Sequence, residues 1–281
     1  MALDAHRLAA DFASLLEADD DHILLAEAAL TIARIEYPGL AFAPYLATLN
    51  DLAARVQSRV PHVAETRDVI AALNTVLFDE EGFSGNCDDY YDPRNSFLND
   101  VLERKTGIPI TLALVYLEVA RRVGFPLFGV GMPGHFLLKH YDQDGRETFI
   151  DAFNSGRIMT ADDCQRRLDE IYAGQMALQP HFLMSMTRRQ ILTRMLNNLK
   201  GIYLSSRKLK RALAVVDMVL AIYPRSPEDV RQRAGLRYNL GQLRGAVEDL
   251  ETYLKMLPEA SDADEIRQTV LAIRRGLVTR N

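Results

Sequence analysis

Cysteine has the most direct chemistry of any side chain in this sequence, because a thiolate can attack a carbonyl carbon or hold a metal ion. The chain has two, Cys87 in a polar stretch rich in tyrosine and Cys164 beside two aspartates. We interpret Cys87 either as a displaced nucleophile or as an ordinary thiol. The pair lacks the spacing of a zinc site or a disulfide framework, so a reducing, cytoplasmic compartment is expected.

Two other motifs resemble ligand sites, and each lacks a part that such a site needs. Gly129-Val-Gly-Met-Pro-Gly134 matches the dinucleotide pattern, but a strand pattern follows it instead of a helix, and Pro133 has no amide hydrogen. Asp88, Asp89 and Asp92 do not have the spacing of a calcium loop. The sequence therefore predicts no cofactor and no metal ion.

A long ordered loop is predicted from Phe78 to Arg94, because Gly, Asn, Asp and Pro are dense there. Its two adjacent tyrosines leave two interpretations open. The loop either lines a binding groove, or its rings and hydrogen bonds attach it to the body of the protein. The candidate groove residues are Asn86, Tyr90, Tyr91, Arg94, Asn95, His135 and Phe136.

The elements around this loop predict an α+β fold. The first 75 residues have the apolar spacing of packed helices, and further helices are expected at 96–104 and 108–123. Pro109 suits the first turn of the latter helix, where its missing N–H has no cost. Three strands are expected behind this helix, which predicts an antiparallel sheet. They lie at 125–130, 135–141 and 148–153.

The last hundred residues have a helical pattern with an internal repeat. The pairs that stand 34 residues apart include Gly201 and Gly235, Ala212 and Ala246, and Pro224 and Pro258. This period, with an alanine in the second helix and a proline at its end, is typical of tetratricopeptide repeats. Two domains are therefore predicted, residues 1–180 and residues 181–281. Two repeats alone cannot bury their faces, so the array is expected to pack on the rest of the chain.

Charge is divided unevenly along the sequence. Residues 1–181 hold 15 Lys and Arg against 28 Asp and Glu, and residues 182–281 hold 18 against 10. The basic residues between Arg188 and Arg211 are interpreted either as solvated helix faces or as a surface for an acidic protein or peptide. Nucleic acid is an unfavoured partner, because aromatic residues do not interleave the basic ones. No apolar run has the length of a membrane helix.

Two longer segments carry a resemblance to a known family. The run NCDDYYDPRNSFLNDVLERKTGIPITLALVYLEVARRVGFPLFGVGMPGHFLLK, from Asn86 to Lys139, is followed by FIDAFNSG at 149–156. Together they closely resemble a bacterial family that joins a transglutaminase-like domain to a tetratricopeptide domain. Its members are often named regulators of sirC expression (the Sir B family), and related segments occur in some F-box proteins. The resemblance implies a transglutaminase-like, papain-like fold and covers about residues 20–260.

The resemblance also implies where a catalytic triad would stand. The family core has a Gly-x-Cys motif at a helix start, then a histidine, then an aspartate. Gly107-Ile-Pro109 occupies the first position, His135 the second and Asp151 the third. Proline has no nucleophile, so the implied triad lacks its thiol. His135 is then either a general base or a structural histidine bonded to Asp151, and the hydroxyl of Thr111 is expected to bond the backbone.

The sequence therefore predicts a non-catalytic binding or scaffold protein. A groove near His135 and Asp151 would hold a peptide or protein segment, and the repeat tail would bind protein. Two alternatives stay open. One is a hydrolase or transferase that uses this pair with a non-cysteine nucleophile or water, and the other is an assembly module that acts through the tail alone.

Overall fold

The computed structural model describes residues 4–278 and divides into two compact units. The core unit comprises residues 18–33 and 39–195, and the repeat unit comprises residues 4–17, 34–38 and 196–278. The chain therefore passes from one unit to the other four times along its length.

Helices make up most of both units. Several short 3₁₀ turns, among them Pro93–Ser96, Ala152–Asn154 and Pro180–Leu183, join them to the strands. The α-helices in chain order are α1 (Ala5–Leu15), α2 (Leu25–Ala33), α3 (Ala43–Gln57), α4 (Thr66–Asn74), α5 (Leu98–Arg104), α6 (Pro109–Arg122), α7 (Ala161–Tyr172), α8 (Arg188–Ser205), α9 (Leu209–Ile222), α10 (Pro227–Asn239), α11 (Leu243–Met256) and α12 (Ala263–Val278).

The strands of the described chain belong to the core unit and form two sheets. A short parallel pair joins the start of the tyrosine-rich loop to the segment before α6. The larger sheet is antiparallel, with the order β3-β4-β5-β6. The strands are β1 (Ser84–Gly85), β2 (Thr106–Gly107), β3 (Phe128–Val130), β4 (Leu137–Tyr141), β5 (Glu147–Asp151) and β6 (Arg157–Met159).

Helix α6 is the centre of the core unit. Every residue from Pro109 to Ala120 is buried, which explains why this helix is apolar on most sides. It packs against α3, α5 and the larger sheet. The other face of that sheet carries Val130, Leu137, Phe149 and Met159, which pack on Cys164 and Leu168 of α7. The sheet is thus covered on both faces, and the start of α6 is held inside the unit.

The predicted α+β class with a helical C-terminal region is confirmed, and the main differences lie at element ends. His135 was expected to begin a strand, but β4 begins two residues later, because Gly134 turns the chain with φ of +68°. The last strand, β6, was not predicted. Helix α4 ends at Asn74, and the chain continues as a π-helical turn at Thr75–Glu80.

The repeat unit contains the predicted 34-residue repeats and one helix from the other end of the sequence. Leu8 and Phe12 of α1 are buried, and α1 packs along α9. The predicted boundary between residues 180 and 181 lies within the core unit, because residues after 180 bond to the sheet region. The amide of Met186 donates to the carbonyl of Gly129 at 2.8 Å, for example. The units separate at residue 195, inside α8.

Candidate functional site

His135 and Asp151 are bonded to each other in the interior of the core unit. His135 Nε2 lies 2.8 Å from Asp151 Oδ2, and both side chains are 0% exposed. Asp151 is the last residue of β5, and His135 lies in the turn that leads into β4. The predicted hydrogen bond between these residues is therefore confirmed.

Asp151 is held by more than the histidine. Its Oδ1 accepts the backbone amides of Phe153 and Asn154 at 3.0 and 3.3 Å, and Oδ2 also accepts the side-chain amide of Asn154 at 2.7 Å. Burial favours the protonated form of a carboxyl group, but the hydrogen bonds from His135 and Asn154 hold the pKa of Asp151 below its usual value. The residue is therefore a buried carboxylate whose oxygens are used by neighbouring donors.

The bond to a carboxylate fixes the tautomer of His135. Because Asp151 accepts, Nε2 carries the donated hydrogen, and Nδ1 is left as the second ring nitrogen. Nδ1 is buried and has no hydrogen-bond partner among residues 4–278. The ring of Phe153 stands edge-on to the imidazole, with 6.1 Å between ring centroids. The imidazole is oriented as in a catalytic histidine, with Nε2 bonded to the aspartate. Among residues 4–278, however, no side chain is hydrogen-bonded to Nδ1.

The turn that carries His135 is positioned by Arg194 of α8. One guanidinium nitrogen donates to the carbonyls of Met132 and His135 at 2.8 and 2.6 Å. The same group lies 5.7 Å from the ring centroid of Phe136. Burial lowers the pKa of Arg194. The prediction that the basic residues between Arg188 and Arg211 form a solvated or partner-binding face is wrong for Arg194, because its guanidinium donates to the turn.

Pro109 is the first residue of α6, as the sequence predicts, and it is buried. The Thr111 hydroxyl donates to the carbonyl of Asn95 at 2.7 Å and accepts the amide of Ile108 at 3.1 Å. The expectation that Thr111 bonds the backbone is confirmed. Its oxygen therefore ties the helix start to the tyrosine-rich loop.

Part of the tyrosine-rich loop is held by hydrogen bonds from Asn95, the residue that follows it. The amide group of Asn95 donates to the carbonyl of Asp89 at 2.7 Å, and its oxygen accepts the side-chain amide of Asn86 at 3.1 Å. Asn95 and Phe136 are fully buried, so neither reaches an open groove. Among the candidate groove residues, Tyr90, Tyr91 and Arg94 are exposed, and Asn86 is half-buried.

A second layer of polar residues supports the segment after Asp151. Asn74, the last residue of α4, donates to the carbonyl of Gly156 at 3.0 Å and accepts the Tyr116 hydroxyl at 3.0 Å. The amide of Gly156 in turn donates to the carbonyl of Asp151 at 2.9 Å. Sequence reasoning did not identify Asn74 or Tyr116. Asn154 and Gly156 lie inside the FIDAFNSG segment, which was the available signal.

The two cysteines lie in different environments. Cys87 is exposed in the loop, and Cys164 is fully buried against the sheet. Burial raises the pKa of Cys164 to about 11, and the nearby carboxylates Asp163 and Asp151 add to the effect. A raised pKa keeps this thiol protonated and unreactive near neutral pH.

Residues 4–278 lack two features. No helix in that range has the length and apolar character needed to cross a membrane. Within the same range, no three His, Cys, Asp or Glu side chains are grouped so that they could hold a metal ion.

Comparison with known proteins gives the family. Residues 43–197 match the model of the transglutaminase-like superfamily, and residues 199–270 match a tetratricopeptide repeat model. The chain belongs to the transglutaminase-like superfamily. In this transglutaminase-like chain, the first match covers the part of the core unit that contains Pro109, His135 and Asp151. Tetratricopeptide repeats generally mediate protein–protein interaction, so the second match fits an interaction role.

Two bacterial relatives align over about nine tenths of this chain, and an F-box protein aligns over part of it. A UPF0162 protein of Xylella fastidiosa is 39% identical over 258 residues, which is 90% of this chain and 91% of that protein. A UPF0162 protein of Vibrio cholerae is 27% identical over 92% of this chain and 96% of its own. F-box only protein 21 of Mus musculus is 34% identical over 66% of this chain and 30% of its own length. The association with sirC expression stays a prediction.

Proposed function

We propose that this chain is a non-catalytic interaction protein, in which the transglutaminase-like site has become an internal clamp. The observation that supports this most directly is the state of the implied triad. The family resemblance puts Pro109 at the nucleophile position, and the His135 and Asp151 side chains are 0% exposed. A thiol mechanism needs a thiolate within reach of the imidazole and of substrate, and Pro109 supplies no thiol.

The clamp role follows from what the pair connects. Asp151 ends β5, and His135 lies in the turn before β4, so their bond joins two segments of the core unit. Buried polar groups that are bonded on several sides fix one arrangement of the surrounding chain. The pair therefore keeps the loop-bearing face of this unit in a single conformation that a partner can recognise.

The exposed part of the tyrosine-rich loop is the proposed contact surface of that face. Tyr91 is 76% exposed and stands edge-on to Tyr90, with ring centroids 5.4 Å apart. Arg94 extends beside them, with its guanidinium bonded to Asp92. Exposed tyrosine and arginine are frequent at the centres of protein interfaces. The proposed contact surface therefore contains only the exposed members of the predicted groove, Tyr90, Tyr91 and Arg94.

A hydrolase or transferase is the second candidate, and one observation favours it. The free Nδ1 of His135 is oriented by the bond of Nε2 to Asp151, as in a general base. Water or a substrate hydroxyl would have to supply the nucleophile. The full burial of the ring argues against this candidate, because a substrate atom must come within hydrogen-bond distance of that nitrogen.

The two candidates are separated by what happens to a captured partner. Full-length protein, His135→Gln and Tyr91→Ala are each used as bait, and retained proteins are quantified and sequenced by mass spectrometry. The interaction role predicts a partner that wild type and His135→Gln retain intact and Tyr91→Ala loses. Cleavage or covalent modification of the partner by wild type, absent with His135→Gln, would overturn the proposal. Thermal unfolding first establishes that each bait is folded.

A further inference from the structure

Four polar side chains lie beside the turn at residues 131–135, and they come from three elements of the core unit. Tyr90 belongs to the tyrosine-rich loop, and Arg194 belongs to α8. Arg167 and Tyr172 lie on α7. We call these four residues the Arg194 cluster. Its members are far apart in sequence, so the cluster exists only in the folded core unit.

Two observations put the tyrosines of the cluster near Arg194. The Tyr172 hydroxyl lies so close to Gly134 that a Cβ there would contact it, and Arg194 bonds the next carbonyl, that of His135. Burial raises the pKa of Tyr90 above its ordinary value, and the positive charge of Arg194 acts against this rise. Charges more than about 10 Å apart are largely screened in salt solution, so the Tyr90 hydroxyl and the guanidinium lie closer than that. Both hydroxyls therefore face the same cation.

The cluster has hydrogen-bond donors that no group of residues 4–278 accepts. Arg194 bonds the turn through Nη2 alone, which leaves Nε and Nη1 unused and open to solvent. The hydroxyls of Tyr90 and Tyr172 make no hydrogen bond within the same range. Arg167 Nε is buried there without a partner. Because buried donors are nearly always bonded, an acceptor from outside the described chain is expected at Arg167.

Arg194 also lacks a counter-ion within the described chain. Besides burial, the groups that act on its pKa are the hydroxyls of Tyr90 and Tyr172, and no carboxylate is among them. Arg167 acts on Tyr90 in the same way as Arg194. It pairs through Nη1 with Glu170 at 2.8 Å, but this glutamate is 63% exposed, and exposed ion pairs contribute little. The cluster therefore has an excess of positive charge, which an anion would compensate.

A phosphate group matches these donors better than a carboxylate does. A planar carboxylate is satisfied by one guanidinium fork, whereas phosphate presents acceptor oxygens in several directions. The donors of the cluster come from a loop and two helices and so approach from different sides. Phosphate also carries a charge of about −1.5 to −2, which suits two guanidinium groups. Tyr90 is 40% exposed and the Arg167 side chain 30%, so an ion can enter from solvent.

We propose that the Arg194 cluster binds a phosphate group, either free or carried by a small molecule. Arg167 and Arg194 supply the charge, and the hydroxyls of Tyr90 and Tyr172 complete the hydrogen bonds. The nitrogens of Arg194 that take part are those that the turn leaves unused. The ligand is a small anion and not a partner protein, so this site is separate from the interaction role proposed above and does not depend on it.

The test is a titration of the full-length protein followed by phosphorus-31 NMR line width. Inorganic phosphate and phenyl phosphate are the two probes, and sodium chloride keeps the ionic strength constant. We expect saturable binding of at least one probe, and the tighter of the two tells whether the ion is free or esterified. Acetate is used as a competitor and should not displace the probe. Absence of saturable binding, or displacement by acetate at equal concentration, would overturn the proposal.

Substitutions that spare the fold locate the binding. Tyr90→Phe removes a hydroxyl that bonds nothing within residues 4–278, and it should raise the Kd of the bound probe about threefold or more. Arg167→Gln should raise it about tenfold. Thermal unfolding establishes that each variant is folded. An unchanged Kd in both variants would overturn the assignment.

Matched controls show whether the effect is local. Tyr238→Phe removes a hydroxyl from a tyrosine of the repeat unit that is 53% exposed, and the Kd should not change. Arg166→Gln removes a charge next to Arg167 in sequence, but the Arg166 side chain is 64% exposed and pairs with Asp163. It should also leave the Kd unchanged. Equal weakening by Arg166→Gln and Arg167→Gln would mean that the ion senses only the net charge, which would contradict a specific site.

Discussion

Asn154 donates its side-chain amide to the same oxygen of Asp151 that accepts from His135, at 2.7 Å. Two donors thus converge on Oδ2, and two backbone amides converge on Oδ1. The aspartate is the centre of this network, and the histidine is one of its four donors. Stability measurements on Asp151 therefore report on the clamp role directly.

The effect of Asp151→Asn should depend on pH. Hydrogen bonds hold the pKa of Asp151 in the folded protein below its unfolded value of about 3.9. The charged form therefore stabilises the fold above that pH, and this contribution is lost as pH falls through the lowered folded pKa. We expect Asp151→Asn to reduce the thermal midpoint most at pH 6–7, and the gap to wild type to shrink below about pH 4. A gap that widens on acidification would contradict the assignment. Exposed Asp144→Asn serves as the control.

Arg194→Lys should loosen the turn that carries His135. A lysine cannot reproduce the planar guanidinium that bonds two carbonyls and covers the Phe136 ring. We expect a loss of about 1–3 kcal/mol in the free energy of unfolding. Faster hydrogen–deuterium exchange should be confined mainly to peptides spanning 129–137. Arg67→Lys, at an exposed position of α4, should change neither quantity. Unchanged hydrogen–deuterium exchange in Arg194→Lys would show that the turn does not depend on this arginine.

Gly156→Ala should be costly, and Asn74 should account for part of the cost. A Cβ at Gly156 would overlap Asn74 Oδ1, and the glycine has φ of +70°. The backbone conformation alone costs an alanine about 1–3 kcal/mol. We expect Asn74→Ala combined with Gly156→Ala to lose less stability than the sum of the single changes. The reason is that the shorter side chain at position 74 no longer clashes with the new Cβ at position 156. Strict additivity in denaturant melts would refute the close contact.

The two thiols should differ in reactivity. Cys164 is buried with a pKa raised to about 11, whereas Cys87 is exposed. Iodoacetamide at pH 8 should modify Cys87 in the native protein and spare Cys164, and both should react in guanidinium chloride. Peptide mass mapping gives the answer. Labelled protein and Cys87→Ser should retain partner binding, and loss of binding in both would restore Cys87 as a functional residue.

Phe12→Ala should destabilise the repeat unit, although residue 12 lies far from the repeats in sequence. The ring is fully buried, and its helix packs on α9. Removing a buried phenylalanine ring costs about 3–5 kcal/mol. Peptides from 209–222 should then exchange hydrogen faster than in wild type, while exposed Glu17→Ala should leave them unchanged. Normal protection of α9 in Phe12→Ala would mean that α1 contributes little to this unit.

Sequence pattern was sufficient for the parts of the site that lie on neighbouring elements. The α+β class and the 34-residue repeats follow from element order and spacing, and the bond between His135 and Asp151 follows from the family resemblance. What these patterns miss are contacts across long sequence separations. Arg194 reaches a turn 59 residues before it, and Asn74 reaches Gly156 from 82 residues away. Neither residue has a local pattern that indicates its partner.

The sequence pattern also did not predict which polar residues are buried. Asn95 lies in a loop rich in polar residues, where an asparagine is expected to be solvated. Its side chain can be buried because it is hydrogen-bonded to Asn86, to two loop carbonyls and to Arg104. These hydrogen-bond partners are brought together only by the tertiary structure, which the hydrophobicity pattern of the sequence does not predict. The interpretation in which hydrogen bonds attach the loop to the body is therefore the better one for Asn95, and the exposed tyrosines keep the other interpretation open.

The four passages of the chain between units restrict how this gene can change. A recombination event near codon 180 would transfer the repeats without α1 and would divide residues 181–195 from the sheet to which they bond. In such a hybrid, the repeat unit would lack its N-terminal segments, and the core unit would lack residues 181–195. Exchange of one half with another gene is viable only when several segments move together. The arrangement thus favours inheritance of the two units as one block, and substitutions in α1 should be accompanied across lineages by substitutions in α9.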